Sequence, residues 1–344
     1  MNKKALERNS NFELLRIVSM ILIILYHFVI YNSFDYGDNS LLLGFLNAGG
    51  KLGVVLFATI TGYYMYNKKD INLKKAILLE LQVLFYSLGI FLIFILIDGK
   101  YFNAYELFRA LFPNIFKTYW FFSSYFILYL CIPYLNKLIK ILSKDEFRNM
   151  LVILFVFLIL IPSLTVGNGE ITEGVYLFYY YMIGAFINKY VNNIKSNNYR
   201  YLIIFLVSYI AMVVCNYYYK LFILSDYNVL FGDRIYSRAG SIFVFVCAIN
   251  LFIFFKNLKI RNNKYINMLA SCSFGVYLFH DHFFMRILLW NNVFMGSNML
   301  NSGFFLINLF VLVIGIYLVG SLVEFVRKCI FKYFSCKMGV DSDV

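Results

Sequence analysis

Long apolar runs separated by short polar connections make up almost the whole chain. A helix that crosses a bilayer needs about 20 mostly apolar residues. The predicted fold class is therefore all-α, a polytopic integral membrane protein with one transmembrane domain over residues 1–344. The pattern predicts ten membrane-spanning helices, at residues 12–31, 49–66, 76–97, 119–136, 149–164, 175–190, 201–219, 239–255, 266–290 and 303–325.

The positions of Lys and Arg give an independent prediction of topology, because these residues collect in cytoplasmic connections. With the N-terminus placed inside, 22 of the 31 Lys and Arg fall in inner segments and only 6 in outer connections. The loss or gain of one helix would scramble this alternation. The asymmetry therefore predicts ten crossings with both termini cytoplasmic.

Composition agrees with a membrane protein and argues against other classes. The chain is 62% hydrophobic and 14% charged, whereas soluble domains carry about a quarter charged residues. The net charge of +13 lies in short clusters between apolar runs and forms no basic stripe, so we expect membrane lipid and no nucleic acid as a partner. The six cysteines include no C-x-x-C pair, so we expect no disulfide framework and no metal site.

All three histidines, His27, His280 and His282, lie inside predicted membrane helices. An ionisable group there costs roughly 2.5–3.5 kcal/mol on insertion scales, which makes each one a functional hypothesis. His280 and His282 flank Asp281, but neighbouring residues on a helix point about 100° apart, so the three cannot hold one metal ion. Roles in lining a pore or binding an acceptor remain for the two histidines.

The first helix carries Arg16 and, eleven positions later, His27. Eleven steps return to within about 20° of the same helix face, about 16 Å further along the axis. Arg16 is expected near the cytoplasm, where it could hold an anionic donor, and His27 in the outer half, where it could activate an acceptor. The simpler alternatives are a snorkelling Arg16 paired with Glu13 and a His27 bonded to a neighbouring helix.

The second predicted helix is rich in glycine, at Gly49, Gly50 and Gly53, and a lysine-rich segment follows it. Glycine permits a broken helix against a cavity or ordinary close packing of helices. The lysines could hold phosphate groups or only set the topology: Lys68, Lys69, Lys74 and Lys75.

Two other polar or aromatic positions also carry alternatives. Trp120 is expected at the outer boundary, either in an aromatic belt or stacked on a sugar face. Glu80, near the inner end of the third predicted helix, is expected to pair with Lys74 or Lys75, with a functional role as the alternative.

Four short motifs follow one another along nearly the whole chain: Arg16-x10-His27, Phe57-x-x-x-Thr61-Gly62-Tyr63, Trp120-Phe121, and Ser273-Phe274-Gly275-x-Tyr277-x-x-His280. In this order they resemble the acyltransferase-3 family, membrane-bound enzymes that typically O-acetylate bacterial surface polysaccharides. The resemblance implies acetyl-CoA as the cytoplasmic acyl donor, a polysaccharide or lipid-linked glycan as acceptor, and a multi-pass position in the bacterial plasma membrane. The resemblance does not decide whether the protein forms a homo-oligomer.

The same resemblance implies roles for individual residues. The family's arginine and histidine fall on Arg16 and His27, as donor-holding and catalytic residues. Its Ser-Gly-aromatic motif falls on Thr61, Gly62 and Tyr63, with threonine where serine is usual. The lysines after the second helix stand where arginines are frequent, and lysine binds phosphate as a point charge without a bidentate fork.

Histidine suits the expected chemistry because its ordinary pKa near 6.5 leaves a neutral base plentiful at neutral pH. His27 would take the proton of the acceptor hydroxyl or carry the acyl group itself. The main alternative is a polysaccharide or lipid-linked sugar transporter, for which inverted repeats or paired broken helices would argue. A glycan polymerase or glycosyltransferase would need a sizeable outer loop or paired carboxylates.

Overall fold

The computed structural model describes residues 9–32, 34, 39–165, 173–191, 197–219, 236–300 and 302–337. All regular secondary structure in these ranges is helical, which confirms the all-α class. In chain order the helices are α1 (Ser10–Tyr31), α2 (Ser40–Asn47), α3 (Gly49–Met65), α4 (Leu73–Ile97), α5 (Ala104–Leu111), α6 (Trp120–Ile141), α7 (Lys144–Phe155), α8 (Ile161–Leu164), α9 (Glu173–Tyr190), α10 (Tyr199–Tyr219), α11 (Ile242–Asn257), α12 (Lys264–Ala270), α13 (Ser273–His280), α14 (Phe283–Arg286), α15 (Gly296–Leu300) and α16 (Phe305–Lys337).

Several of these helices have the length and composition of membrane spans. Among the described residues there are seven: Ser10–Tyr31, Ser40–Met65, Leu73–Ile97, Trp120–Ile141, Lys144–Leu164, Tyr199–Tyr219 and Phe305–Tyr333. Helix α11 is apolar but shorter. The chain is thus a polytopic membrane protein, while the count of ten crossings and the cytoplasmic termini stay predictions.

The chain divides into two compact units. Unit 1 comprises residues 1–30, 34–72 and 121–263, and unit 2 comprises residues 31–33, 73–120 and 264–344. The residues of the first and second predicted helices therefore lie mainly in unit 1, and the ninth predicted helix lies in unit 2.

Unit 1 is built around a close crossing of α3 and α9. A Cβ atom on Gly62 would overlap the backbone carbonyl of Tyr181, and one on Gly184 would overlap the backbone of Thr59. The two backbones therefore touch at a point where only glycine fits. Small residues of this kind let membrane helices approach closely.

Helix α1 packs against the N-terminal half of α3. A Cβ atom on Gly50 would overlap the Tyr26 ring, and one on Gly53 would overlap the backbone carbonyl of Ser19. Helix α3 is continuous from Gly49 to Met65. Of the two sequence interpretations of these glycines, the structure supports close helix packing.

The connection between α4 and α6 folds back along α4 in unit 2. The Asn114 side-chain amide donates to both carboxylate oxygens of Glu80, at 2.6 and 2.8 Å. Glu80 lies 17 residues before Ile97, the last residue of α4, which is about 25 Å along the helix axis. Residues 98–119, which connect α4 to α6, therefore return deep into the unit.

This contact corrects the expected partner of Glu80. Its hydrogen-bond partner in the described chain is Asn114, and not Lys74 or Lys75. The lysines precede Glu80 by six and five positions, whereas side chains meet on a helix at spacings of three and four. Closeness in the sequence therefore does not identify the partner of Glu80.

The segment predicted as the ninth helix, residues 266–290, is not one helix. A turn at residues 271–272 separates α12 from α13, and Asp281 leaves the helical conformation. The next helix, α14, is capped by the His282 side chain, whose Nδ1 accepts from Phe284 N at 3.2 Å. A side chain that bonds to the backbone in this way can start a new helix where the previous one ends. The hydropathy of the sequence does not reveal such a cap.

Candidate functional site

Arg16 and His27 lie on the buried side of α1. Ser19, Met20 and Ile23, which lie between them on that side, are 0–3% exposed. His27 is 4% exposed, so its imidazole faces protein and not lipid. On this continuous helix, eleven residues correspond to about 16 Å along the axis between the two positions.

The Arg16 guanidinium is held by Glu13 through a single nitrogen. Nη1 lies 3.2 and 3.3 Å from the two carboxylate oxygens of Glu13. The Arg16 side chain is 33% exposed and that of Glu13 is 8% exposed. Within the described residues Glu13 is the hydrogen-bond partner of Arg16, so Nε and Nη2 can still donate to an anion.

Aromatic rings cluster around Phe12, next to Glu13, at the end of unit 1 where α1 begins. The Phe12 ring lies 4.9 Å from the Tyr63 ring, 5.3 Å from the Tyr64 ring and 5.2 Å from the Phe252 ring, between centroids. The motif tyrosine Tyr63 therefore packs against Phe12, the residue that precedes Glu13 in α1.

Thr61 and Gly62 have defined packing roles in α3. Thr61 Oγ1 donates to the Phe57 carbonyl at 2.8 Å and lies 3.3 Å from the Tyr125 hydroxyl. Gly62 is the point at which α9 touches α3. The local structure thus explains a glycine at this motif position by packing alone.

The four lysines after α3 are exposed, and they divide between the two units. Lys68 and Lys69 follow α3 in unit 1, while Lys74 and Lys75 lie in the first turn of α4 in unit 2. Exposure at the end of a helix is compatible with both sequence interpretations, phosphate binding and topology.

His280 and His282 are fully buried in unit 2. His280 Nδ1 lies 2.6 Å from the Val276 carbonyl, one helical turn earlier. His282 uses both ring nitrogens within the protein, since Nε2 donates to the Ser87 carbonyl at 3.1 Å while Nδ1 caps α14. His282 therefore gives structural support.

Asp281, between the two histidines, holds an arginine. Its Oδ1 accepts from Arg286 Nε at 3.0 Å, from Arg286 Nη2 at 2.9 Å and from the Tyr31 hydroxyl at 3.1 Å. The guanidinium also lies over the Tyr31 ring, 4.5 Å from its centroid. Asp281 is 0% exposed, and charge-assisted bonds of this kind offset the cost of burying it.

Trp120 is the first residue of α6 and is partly exposed. The preceding Tyr119 is fully buried, and its hydroxyl donates to the Leu278 carbonyl at 3.1 Å. Tyr119 is therefore fixed against α13 within unit 2.

A buried ion-pair cluster in unit 2 was not singled out from the sequence. Glu324 is 1% exposed, and Arg327 donates to its two oxygens at 2.9 and 2.8 Å. Gln82 and Tyr86 donate to the same carboxylate at 3.1 and 3.0 Å. A Cβ atom on Gly275 would lie 2.6 Å from Glu324 Oε2, so glycine in this motif makes room for the carboxylate. The available sequence signal was an acid in an apolar helix with an arginine three positions on.

We expect Glu324→Gln to destabilise the protein by about 3 kcal/mol, because it leaves the Arg327 charge buried without a counter-ion. Thermal unfolding in detergent measures this. Glu173→Gln is the matched control, since that carboxylate is 41% exposed and pairs with Lys51 near the surface, where ion pairs contribute little. Equal unfolding temperatures for the two variants would contradict the expectation.

Among the described residues, no group of three His, Cys, Asp or Glu side chains could hold a metal ion. The expectation of no metal stays a prediction.

The fold and the site together define a multi-pass membrane protein that keeps an imidazole and a guanidinium on the inner side of its first helix. The sequence model of the acyltransferase-3 family, described as an acyltransferase domain, matches residues 9–323, so the chain belongs to this family. It is a membrane acyltransferase, as the motifs predict. No curated protein and no solved structure matches the chain.

Proposed function

We propose that the protein is an O-acetyltransferase of the bacterial plasma membrane. It moves the acetyl group of cytoplasmic acetyl-CoA to a hydroxyl of a cell-surface or capsular polysaccharide, or of its lipid-linked precursor. The observation that carries the proposal is the pair on α1: a buried His27 and a partly exposed Arg16 on one helix face, in a chain of the acyltransferase-3 family.

The separation of the two groups suits coenzyme A. About 16 Å of helix lies between a cation for the donor and a base for the reaction. A donor that uses both must therefore carry its anionic groups far from its reactive carbon. In acetyl-CoA the long pantetheine arm separates the phosphates from the thioester, which meets this requirement.

The reaction needs one base and no redox step. The acceptor oxygen forms a bond to the acetyl carbonyl carbon, and the C–S bond of acetyl-CoA breaks. His27 takes the proton of the hydroxyl as its oxygen attacks and passes it to the departing thiolate. General-base catalysis of this type contributes about 10²–10⁴-fold to a rate.

On the donor side, Arg16 binds phosphate through its free nitrogens. Charge-assisted bonds to phosphate favour arginine, whose planar fork can bind two oxygens. Lys68 and Lys69 add positive charge after α3 in unit 1. On the acceptor side, Trp120 offers an aromatic face for a sugar ring, with His280 and His282 supporting the fold around it.

We expect Arg16→Lys to raise the KM for acetyl-CoA about tenfold, because the charge stays but the bidentate fork is lost. The measurement is acetyl transfer against acetyl-CoA concentration in isolated membranes. Arg148→Lys is the control, since Arg148 is 57% exposed on α7 and pairs with Asp145. An unchanged KM in Arg16→Lys would remove Arg16 from the donor site.

Mass spectrometry of the surface glycan, in cells with and without this chain, tests the proposal as a whole. The proposal predicts the same polymer at the surface, lacking one acetyl group per acetylated repeat when the chain is absent. Loss of the polymer itself from the surface would favour a transporter. Identical acetylation in both strains would refute the proposed reaction.

A further inference from the structure

The turn that leads out of α3 is held from inside unit 1 by one side chain. Lys68 N donates to the Met65 carbonyl at 3.0 Å, which closes the turn. The Asn136 amide of α6 donates to the Met65 carbonyl at 2.8 Å and to the Lys68 carbonyl at 2.9 Å. Asn136 is 1% exposed, so this clamp lies beneath a turn whose lysines are exposed.

A second buried residue orients the clamp. The Tyr181 hydroxyl donates to Asn136 Oδ1 at 2.8 Å. Both amide protons and the amide oxygen of Asn136 are therefore engaged, which fixes which end of the amide faces the turn. Tyr181 is itself 0% exposed, and its backbone carbonyl is the one that α3 touches at Gly62. The network thus joins α3, α6 and α9.

The arrangement fixes the backbone of the turn and leaves its side chains open. Asn136 uses only the carbonyl groups of Met65 and Lys68, and it occupies no atom of the Lys68 or Lys69 side chains. When a binding cation lies on a mobile turn, ordering the backbone of that turn reduces the affinity for the ligand. A turn that is already ordered avoids this cost. The Phe12 ring packs against the Tyr63 and Tyr64 rings just before the turn, so the first turns of α1, with Glu13 and Arg16, begin at the same end of unit 1.

We propose that Asn136 and Tyr181 are positioning residues for the donor. They hold the Met65–Lys68 turn so that Lys68 and Lys69 meet the phosphate groups of acyl-CoA. This inference rests on the proposed function, because it assumes that acyl-CoA is the donor.

Binding of CoA to the purified full-length protein in detergent tests the inference. Asn136→Asp keeps the size of the side chain but replaces both donors with a carboxylate that faces two carbonyl oxygens. We expect it to raise the Kd for CoA about tenfold, and the milder Tyr181→Phe to raise it about threefold. Tyr180→Phe is the matched control, because it removes an equally buried hydroxyl that donates to the Ala239 carbonyl at 3.2 Å, away from the turn. It should leave the Kd unchanged.

A double-mutant cycle separates positioning from a general effect on folding. In a chain that already carries Lys68→Ala and Lys69→Ala, adding Asn136→Asp or Tyr181→Phe should raise the Kd no further. The same increase with and without the lysines would overturn the inference, as would an unchanged Kd in both single variants. A wild-type protein that binds no CoA would overturn the proposed function and this inference with it, whereas wild-type binding with unaffected variants overturns the inference alone.

Discussion

Replacing His27 with Ala is expected to lower acetyl transfer by at least about 100-fold, since the reaction loses its general base. The imidazole is buried on the inner face of α1, so little water is available there to replace it as the base. His27→Gln should be as inactive, because an amide retains hydrogen bonds but takes up no proton. The measurement is the acetyl content of surface glycan, normalised to the amount of inserted protein.

Ser19→Ala is the matched control for the His27 variants. Ser19 lies on the same face of α1 and is 0% exposed, and its hydroxyl donates to the Leu15 carbonyl within its own helix, at 2.8 Å. Its removal should leave the acetyl content near the wild-type level. A correctly inserted His27→Ala protein with wild-type acetylation would show that the imidazole only packs against neighbouring helices.

Gly62→Ala should destabilise the protein as strongly as Glu324→Gln does. The added methyl group would overlap the Tyr181 carbonyl, so α3 and α9 must separate along the crossing at which their backbones touch. Overpacking of a tight interface typically costs 1–3 kcal/mol, and a clash with backbone cannot relax by a rotamer change, so we expect about 3 kcal/mol. Gly184→Ala, on the opposite side of the same crossing, should have a similar effect.

Thermal unfolding and membrane yield of the glycine variants measure this loss. Gly89→Ala in α4 and Gly315→Ala in α16 are the controls, because a Cβ atom at either position meets no atom within 4 Å. Alanine also has the higher helix propensity, so these two variants should be at least as stable as the wild type. Wild-type stability of Gly62→Ala would contradict the observed helix crossing.

Much of the fold follows from local pattern, because a membrane helix is defined by a long apolar run. The runs predicted α1, α3, α4 and α10 to within a few residues. The same-face placement of Arg16 and His27 followed from helical periodicity, and the burial of that face agrees with it.

Other features depend on contacts that no local pattern contains. The break before α14 depends on the His282 side chain acting as a cap, and hydropathy treats this residue only as a polar interruption. The return of residues 98–119 depends on Asn114 reaching Glu80, 34 positions earlier in the chain. The buried Glu324 carboxylate gathers donors from α4 and α16, which are more than 200 residues apart.

The motif residues show the same difference between what local sequence predicts and what depends on tertiary contacts. Gly62 and Gly275 could be predicted as motif positions, but their physical reasons, a backbone crossing and space for a carboxylate, required the tertiary structure. Asn136 lacks any local signal at all. It is an ordinary amide in an apolar helix, and its importance comes from the turn that it holds.

Inside-out membrane vesicles supplied with acetyl-CoA that is radiolabelled in its acetyl group test the central claim most directly. In wild-type vesicles we predict that label passes into the enclosed glycan, as a base-labile ester, in proportion to the amount of protein. Vesicles with equal amounts of the His27→Ala protein should transfer none above background. Equal labelling of glycan in the two preparations would contradict a mechanism in which the imidazole of α1 carries out acyl transfer.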